Sequence, residues 1–274
     1  LFLPTRGGGN RGTMLPGGLP PRRARGEHVT DPVALMQLNR LLSLLPEREI
    51  LDLRHHGELV HLEKGSMPIR SGVPVSHIYF PVSGIASALA VSASGKRAEA
   101  GLIGREGFFP VVAAAGPEQA QGDIVMQLAG RGWRFPIAAF DRIRREQPVL
   151  QQLLLKAVLA FSAQVAATAL SNAVHSVEER LTRWLLMCHD RVEGNEIALT
   201  HDFIALMLAV RRPSVTSALH VLEGHGFIRS ERGRITIRNR MAMEQFARDA
   251  YGKAEDDYRR LMQGSFKEAD LAPA

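Results

Sequence analysis

The chain has 274 residues, 45% of them hydrophobic and 23% charged, which suits one large or two ordinary folded domains and argues against global disorder. A single cysteine, Cys188, excludes an intrachain disulfide and any multi-cysteine metal or iron–sulfur site, and fits a reducing compartment such as the cytoplasm. The net charge of +6 raises nucleic acid as a partner, and its distribution narrows the choice. Residues 1–27 carry five arginines and one acid, residues 28–200 are balanced, and residues 201–240 carry seven arginines against Asp202, Glu223 and Glu231.

Residues 1–30 are rich in Gly, Pro and Arg and hold too little apolar surface to repay ordering, so a disordered basic tail is expected. It lacks the unbroken apolar core of a secretory signal. A nucleic-acid-binding arm and a passive tail both account for its arginines. Asp31-Pro32 then opens a short helix with Leu35, Leu38, Leu41, Leu42 and Leu45 on one side, and Pro46 starts a second. From Glu58 to about Phe140, short apolar runs are cut by Gly, Pro and Ser every eight to twelve residues. ELVHLE, HIYFPVSG, IASALAVSA, AEAGLIG, DIVMQLAG and WRFPI read as strands of an antiparallel, jelly-roll-like β domain.

DRIRREQPVL leads into the longest apolar run, Leu153 to Leu170, within a helix from Pro148. Its length approaches a membrane span, but Lys156, Ser162, Gln164 and Thr168 interrupt it. Its alanines let another helix approach closely, so burial between helices, across a dimer interface, is preferred to lipid. Ser176 and Glu179 fit a capping box at the start of the next helix, where Leu181, Trp184, Leu185 and Met187 supply the apolar face and Cys188 packs beside Trp184.

The positive block begins at Thr200. Phe203, Ile204, Leu206 and Met207 form the inner face of a helix over His201 to Leu208, followed by a tight turn at Ala209-Val210-Arg211. A second helix, Arg212 to Glu223, places Val215, Ala218, Leu219 and Leu222 inward and Arg212, Ser214, Thr216, Ser217 and His220 outward. Phe227 to Ser230 and Arg234 to Ile237 flank Glu231-Arg232-Gly233 as a hairpin. This order of helix, turn, helix and hairpin is a winged helix-turn-helix, a unit that sets its second helix into the major groove and its wing against phosphates.

The run LTHDFIALMLAVRRPSVTSALHVLEGHGFIRSERGRITI resembles the C-terminal winged helix of the CRP/FNR superfamily of bacterial transcription regulators. There a Leu-Thr start and a Gly-Val-Ser/Arg-Arg turn precede the recognition helix. Lys64-Gly65, Arg70-Ser71-Gly72, Ile78-Tyr79-Phe80 and Ser83-Gly84 are similar to the opening strands of that family's cyclic-nucleotide-binding-like domain, and the helix from Pro148 to its dimerisation helix. The resemblance implies an α+β chain. It would comprise the tail over 1–30, a cyclic-nucleotide-binding-like β domain over 31–147, a dimerisation helix over 148–174, a winged helix-turn-helix over 175–245, and a helical extension or tail over 246–274. It further implies a homodimer on a pseudo-palindromic duplex, with RNA polymerase as a further partner. By alignment Arg212 takes the place of a guanine-reading arginine, with Thr216 and Ser217 as further base contacts. Arg211, Ser214, Arg229, Arg232 and Arg234 are the phosphate-contact candidates.

Two departures bear on function. The family's Gly-Glu pair has a counterpart in Gly104-Arg105-Glu106-Gly107, but Ala120 and Gln121 stand where an Arg-Ser pair would hold a cyclic phosphate, and no arginine lies between Arg105 and Arg131. Gly104, Arg105, Glu106 and Gln121 are the ligand-pocket candidates, and cyclic AMP is not expected in the usual mode. In the recognition helix Pro213 replaces the usual Glu and Ser217 a second Arg, so the family's operator is not carried over. His55, His56, His61 and His77 lack ligand spacing, and no cofactor or metal is expected. No nucleophile elbow, P-loop, zinc signature or His-x-His pair of a cupin-type enzyme is present, so catalysis is not expected. The alternative from another class is a ligand-binding module, soluble or membrane-attached, without a DNA role.

Overall fold

The computed structural model describes residues 31–262; the expected basic tail and the end of the C-terminal extension lie outside the described residues. Asp31 caps α1 (Pro32–Gln37), its carboxylate accepting from Val33 N at 3.0 Å. Pro46 precedes α2 (Glu47–Arg54), whose acidic first turn and terminal arginine suit the helix dipole. Six strands follow: β1 (Glu58–Leu62), β2 (His77–Pro81), β3 (Ile85–Val91), β4 (Arg97–Ile103), β5 (Asp123–Leu128) and β6 (Gly130–Pro136). They form two antiparallel sheets, ordered β1-β6-β2 and β4-β3-β5. Phe80 anchors the core between them, its ring 5.7 Å from Phe108, 5.7 Å from Phe135 and 5.6 Å from Phe140.

The second sheet is covered on both faces, because successive residues of a strand point to opposite sides. Ala86 and Ile103 enter the roll's own core, while their neighbours Ile85 and Leu102 enter a second core with Trp184, Leu185 and Ile204. That double burial is why β3 reads as a nearly continuous apolar run.

A separate helix, α3 (Ile137–Glu146), stands where the sequence suggested a lead-in to the long helix. It buries Ile137, Phe140 and Ile143, and its buried Arg144 is held by Asp141 at 2.5 Å and the Ala115 carbonyl at 3.0 Å. The long helix α4 (Pro148–Val174) starts with proline at its first position, where the missing N–H costs nothing, and ends where His175 turns extended. At 27 residues it measures about 40 Å. By length and composition alone it is apolar enough to cross a membrane, yet Leu150, Leu154, Ala157 and Gln164 are buried within the protein.

Ser176 and Glu179 close the expected capping box on α5 (Val177–His189). The Gly194 turn leads to a short strand, β7 (Glu196–Ile197), then to α6 (His201–Leu208), α7 (Arg212–Gly224) and the hairpin of β8 (Ile228–Glu231) and β9 (Arg234–Ile237). β7 joins this hairpin, giving the order β7-β9-β8. Beyond the wing lie α8 (Arg240–Ala247) and α9 (Lys253–Met262), and α9 returns to pack along α4, with Tyr258 and Met262 in the core of the β-roll.

Between α6 and α7 the chain turns on Ala209, whose φ of 51° is left-handed. A Cβ in this region crowds the following carbonyl and costs about 1–2 kcal/mol. Glycine removes that strain but gains freedom in the unfolded chain. Ala209→Gly should therefore stabilise the protein by a net of about 0.5–1 kcal/mol, read as a higher urea midpoint.

Candidate nucleic-acid interface and effector cavity

The helix-turn-helix is built by burying one side of each helix. Ile204, Met207 and Leu208 of α6 meet Val215, Ala218, Leu219 and Leu222 of α7. This leaves Arg211, Arg212, Ser217 and His220 exposed along one flank of α7, with Ser214 half-buried. No side chain caps the start of α7; Pro213 brings no N–H there, and the amides of Ser214 and Val215 donate to the Arg211 carbonyl at 3.0 and 3.3 Å, so positive charge at this end comes from the two arginines and the helix dipole. The Arg212 guanidinium lies 3.2 Å from Asp202, both side chains well exposed, a pairing too solvated to hold it firmly. Thr216 is turned further inward than its helical position suggested: its hydroxyl donates to the Arg212 carbonyl at 3.3 Å and lies 3.2 Å from His201 Nδ1.

In the wing, Gly233 at φ 76° lets the chain reverse in two residues. Arg229 pairs with Glu231 at 2.7 Å; Arg234 pairs with the same carboxylate and lies 3.5 Å from Glu196. Hydrogen bonding from Arg234, with the charge of Arg229, holds the Glu231 carboxyl below its ordinary range. Arg232 sits exposed at the tip and has no ion-pair partner among the described residues.

The four ligand-pocket candidates do not share one cavity. Gln121 lines a cavity of about 240 Å³ between β3, β4, the loops around Val111 and Ala120, and Phe161 of α4. Gly104 and Glu106 face another way. Glu106 Oε1 accepts from Arg191 Nε at 2.7 Å and from Gly104 N at 3.0 Å, and both side chains of this pair are almost wholly buried. Arg191 also donates to the carbonyls of Met187 at 2.7 Å and Leu102 at 3.4 Å. A Cβ on Gly104 would lie 2.8 Å from Glu106 Oε2 and 3.0 Å from the Arg191 side chain, so only glycine fits beneath the pair. Arg105 uses its carbonyl to receive Arg40 N at 2.7 Å and turns its guanidinium outward, 4.0 Å from Glu193.

Sequence reasoning therefore missed the partner of Glu106, which lies 85 residues away on the segment leaving α5. It also missed Phe161, whose ring rests on Gly101 and lines both the larger cavity and a water-sized one closed by Tyr258 of α9. Near this ring the Gln164 carboxamide accepts from Leu102 N at 2.6 Å and donates to Leu102 O at 3.1 Å. It thereby satisfies the free edge of β4 and pins α4 to it. The lone Cys188 is fully buried and receives Gln127 Nε2 at 3.1 Å; burial pushes its thiol far above the ordinary range, which suits packing rather than reactivity. Among the described residues, no three His, Cys, Asp or Glu gather to hold a metal ion.

Glu99 of β4 lies at the same junction. Burial raises its carboxyl from 4.5 to about 7, against the opposing pull of hydrogen bonds from Ser87 and Trp184 and the charges of Arg183 and Arg191. The folded chain thus keeps a proton that the unfolded chain releases near pH 4.5. This contribution is full below that value and is lost as pH rises through about 7. Its size is about 3 kcal/mol. Glu99→Gln, which keeps the acceptor for Trp184, should flatten the fall in unfolding free energy between pH 5 and 8, measured by denaturant titration.

Two protein families match the chain: a cyclic nucleotide-binding domain over residues 59–147 and a Crp-like helix-turn-helix domain over residues 179–246. No curated protein matches it in sequence. Solved structures are similar in fold. A protein from Eubacterium rectale assigned to the CRP/FNR family of transcriptional regulators superposes with a TM-score of 0.60 at 17% identity, covering 77% of this chain and 99% of its own. FixK2 from Bradyrhizobium japonicum gives 0.59 at 16% identity, covering 69% and 96%. TTHA1359, a CRP/FNR-family transcriptional regulator from Thermus thermophilus, gives 0.57 at 20% identity, covering 69% and 98%.

Proposed function

We propose that this chain, which belongs to the CRP/FNR superfamily of bacterial transcription regulators, binds duplex DNA as a cytoplasmic homodimer and acts with RNA polymerase at its promoters. The observation that carries the DNA role is the exposed flank of α7. Arg211, Arg212 and Ser217 stand clear of the fold on a helix whose opposite side is fully buried. In this reading Arg212 takes a guanine edge and exchanges its weak pairing with Asp202 for two hydrogen bonds. Ser217 reaches a neighbouring base, and Thr216 joins it only after its hydroxyl leaves His201. Arg211, Ser214 and Arg232 meet phosphates; Arg229 and Arg234 do so by giving up part of their hold on Glu231.

The dimer is supported by α4. Gln152, Leu155, Leu159, Ser162, Ala166, Ala169 and Ala173 are all exposed and recur at alternating steps of three and four residues. That repeat is the seam of a left-handed coiled coil. The opposite side of α4 is occupied by the β-roll and α9, which leaves this stripe for a second copy. The same asymmetry disfavours a lipid-embedded α4, because one of its faces is already committed to protein. A ligand-binding module without a DNA role would leave the arginine-flanked α7 and the wing without a purpose. The lack of any cation among the described residues lining the larger cavity further supports a sensor domain that does not hold cyclic AMP through its phosphate.

Duplexes selected from a random pool by the purified protein provide the test. On the selected site, Arg212→Ala should weaken binding by about 1–3 kcal/mol in an anisotropy titration while leaving the unfolding midpoint unchanged. Arg232→Ala should instead lower the salt dependence by about one phosphate contact. Unchanged affinity in the Arg212 variant would remove its role as a base reader. Leu159→Glu places like charges across the seam and should convert the dimer to monomer in sedimentation velocity, with a parallel loss of binding to the two-half-site duplex.

A further inference from the structure

We propose that the larger cavity binds a neutral, predominantly apolar small molecule in the place where a cyclic nucleotide would sit; the inference rests on the regulator reading above and names the chemistry of its signal. The cavity measures about 240 Å³. An apolar cavity of about 150 Å³ already accommodates a single benzene ring, so this one has room for a larger body. Its walls are apolar side chains, among them Leu89, Val111, Ile124 and Phe161, interleaved with alanines that open the space.

The polar groups in reach are few. Asp123 is the one charged residue of the lining, and its carboxylate is already in use: one oxygen accepts from Ser71 N at 2.9 Å and the other faces Arg97 Nε at 2.8 Å. Arg97 lies outside the lining and is drawn to Asp123, so the cavity wall itself presents no cation to an anion. A phosphate entering here would lose its water and meet a carboxylate in exchange. Gln121 is the remaining polar side chain, suited to one or two hydrogen bonds with a carbonyl, hydroxyl or amide on an otherwise apolar ligand.

The wall opposite α4 is preformed. Ala120 N donates to Val73 O at 3.0 Å, Ala120 O accepts from Gly72 N at 2.8 Å, and a Cβ on Gly122 would lie only 2.4 Å from Leu89 O. Backbone thus stands against backbone, and the loop cannot fold into the space. A ligand therefore finds a fixed apolar wall on one side and the Phe161 ring of α4 on the other.

The test uses the full chain and two probes, the neutral fluorophore N-phenyl-1-naphthylamine and cyclic AMP. The naphthylamine should bind saturably at one site per chain with blue-shifted emission, and a millimolar excess of cyclic AMP should leave the titration unchanged. Ala88→Leu and Ala100→Leu, each adding bulk to a different strand of the lining, should weaken probe binding by about tenfold or more. Each variant is first checked for native unfolding behaviour. Absence of saturable binding, probe affinity undiminished in a folded lining variant, or displacement of the probe by cyclic AMP would each overturn the proposal. Operator binding is measured on the same samples. Absence of saturable probe binding to the unsubstituted chain, with its DNA binding intact, defeats this inference alone, whereas probe binding without DNA binding defeats the regulator reading and leaves the cavity assignment standing.

Discussion

A single ion pair, Arg191 with Glu106, fixes how the helix-turn-helix unit is seated on the β-roll. Both groups have left water, which is costly unless every remaining donor and acceptor finds a partner. Here Gly104 N gives Glu106 Oε1 a second donor, while Met187 O and Leu102 O accept from the guanidinium. These partners come from β4, from the turn after it and from α5, so the pair is satisfied only when the helix-turn-helix unit sits in one place on the β-roll. The apolar contacts of Leu102 and Ile85 with Trp184 and Leu185 supply area at that junction. Area alone would allow sliding, whereas a buried charge pair does not.

Around this junction α4 has three tasks. Gln164 completes the edge of β4, Phe161 closes the cavity, and the stripe from Gln152 to Ala173 stays open. Because these features alternate on one rigid helix, a change at Phe161 cannot remain local. A rotation that moves the ring also turns the exposed stripe and pulls on the amide pairing at Leu102. Packed interfaces shift between discrete arrangements rather than deform continuously, so ring, stripe and amide pairing would move as one.

Much of this was legible from the residues alone, for identifiable reasons. The six strands of the roll were marked by turn residues, the helix-turn-helix by the inward spacing of Val215, Ala218, Leu219 and Leu222, and the capping box by Ser176 and Glu179. All of these signals are local. Most of the failures were non-local. Gly104-Arg105-Glu106-Gly107 has the same text whether its carboxylate faces a ligand or an arginine far along the chain, and burial by Arg191 decided the matter. α3 was lost because Pro136 and Pro148 bracket a stretch whose charges conceal its inner face of Ile137, Phe140 and Ile143. β7 is two residues long and exists only because β9 offers an edge. Thr216 turned further inward than its spacing suggested, its hydroxyl lying beside His201, a neighbour that spacing within one helix cannot reveal.

The return of α9 onto α4 has a consequence for how the molecule is made. Tyr258 and Met262 belong to the hydrophobic core of the β-roll, yet they follow the wing in the chain. On the ribosome, the roll and its long helix emerge first and wait with one wall missing until the DNA-binding unit has been synthesised behind them. The first module to appear is therefore the last to be completed. A chain cut or fused directly after the wing would remove part of the amino-terminal core, not a dispensable appendage.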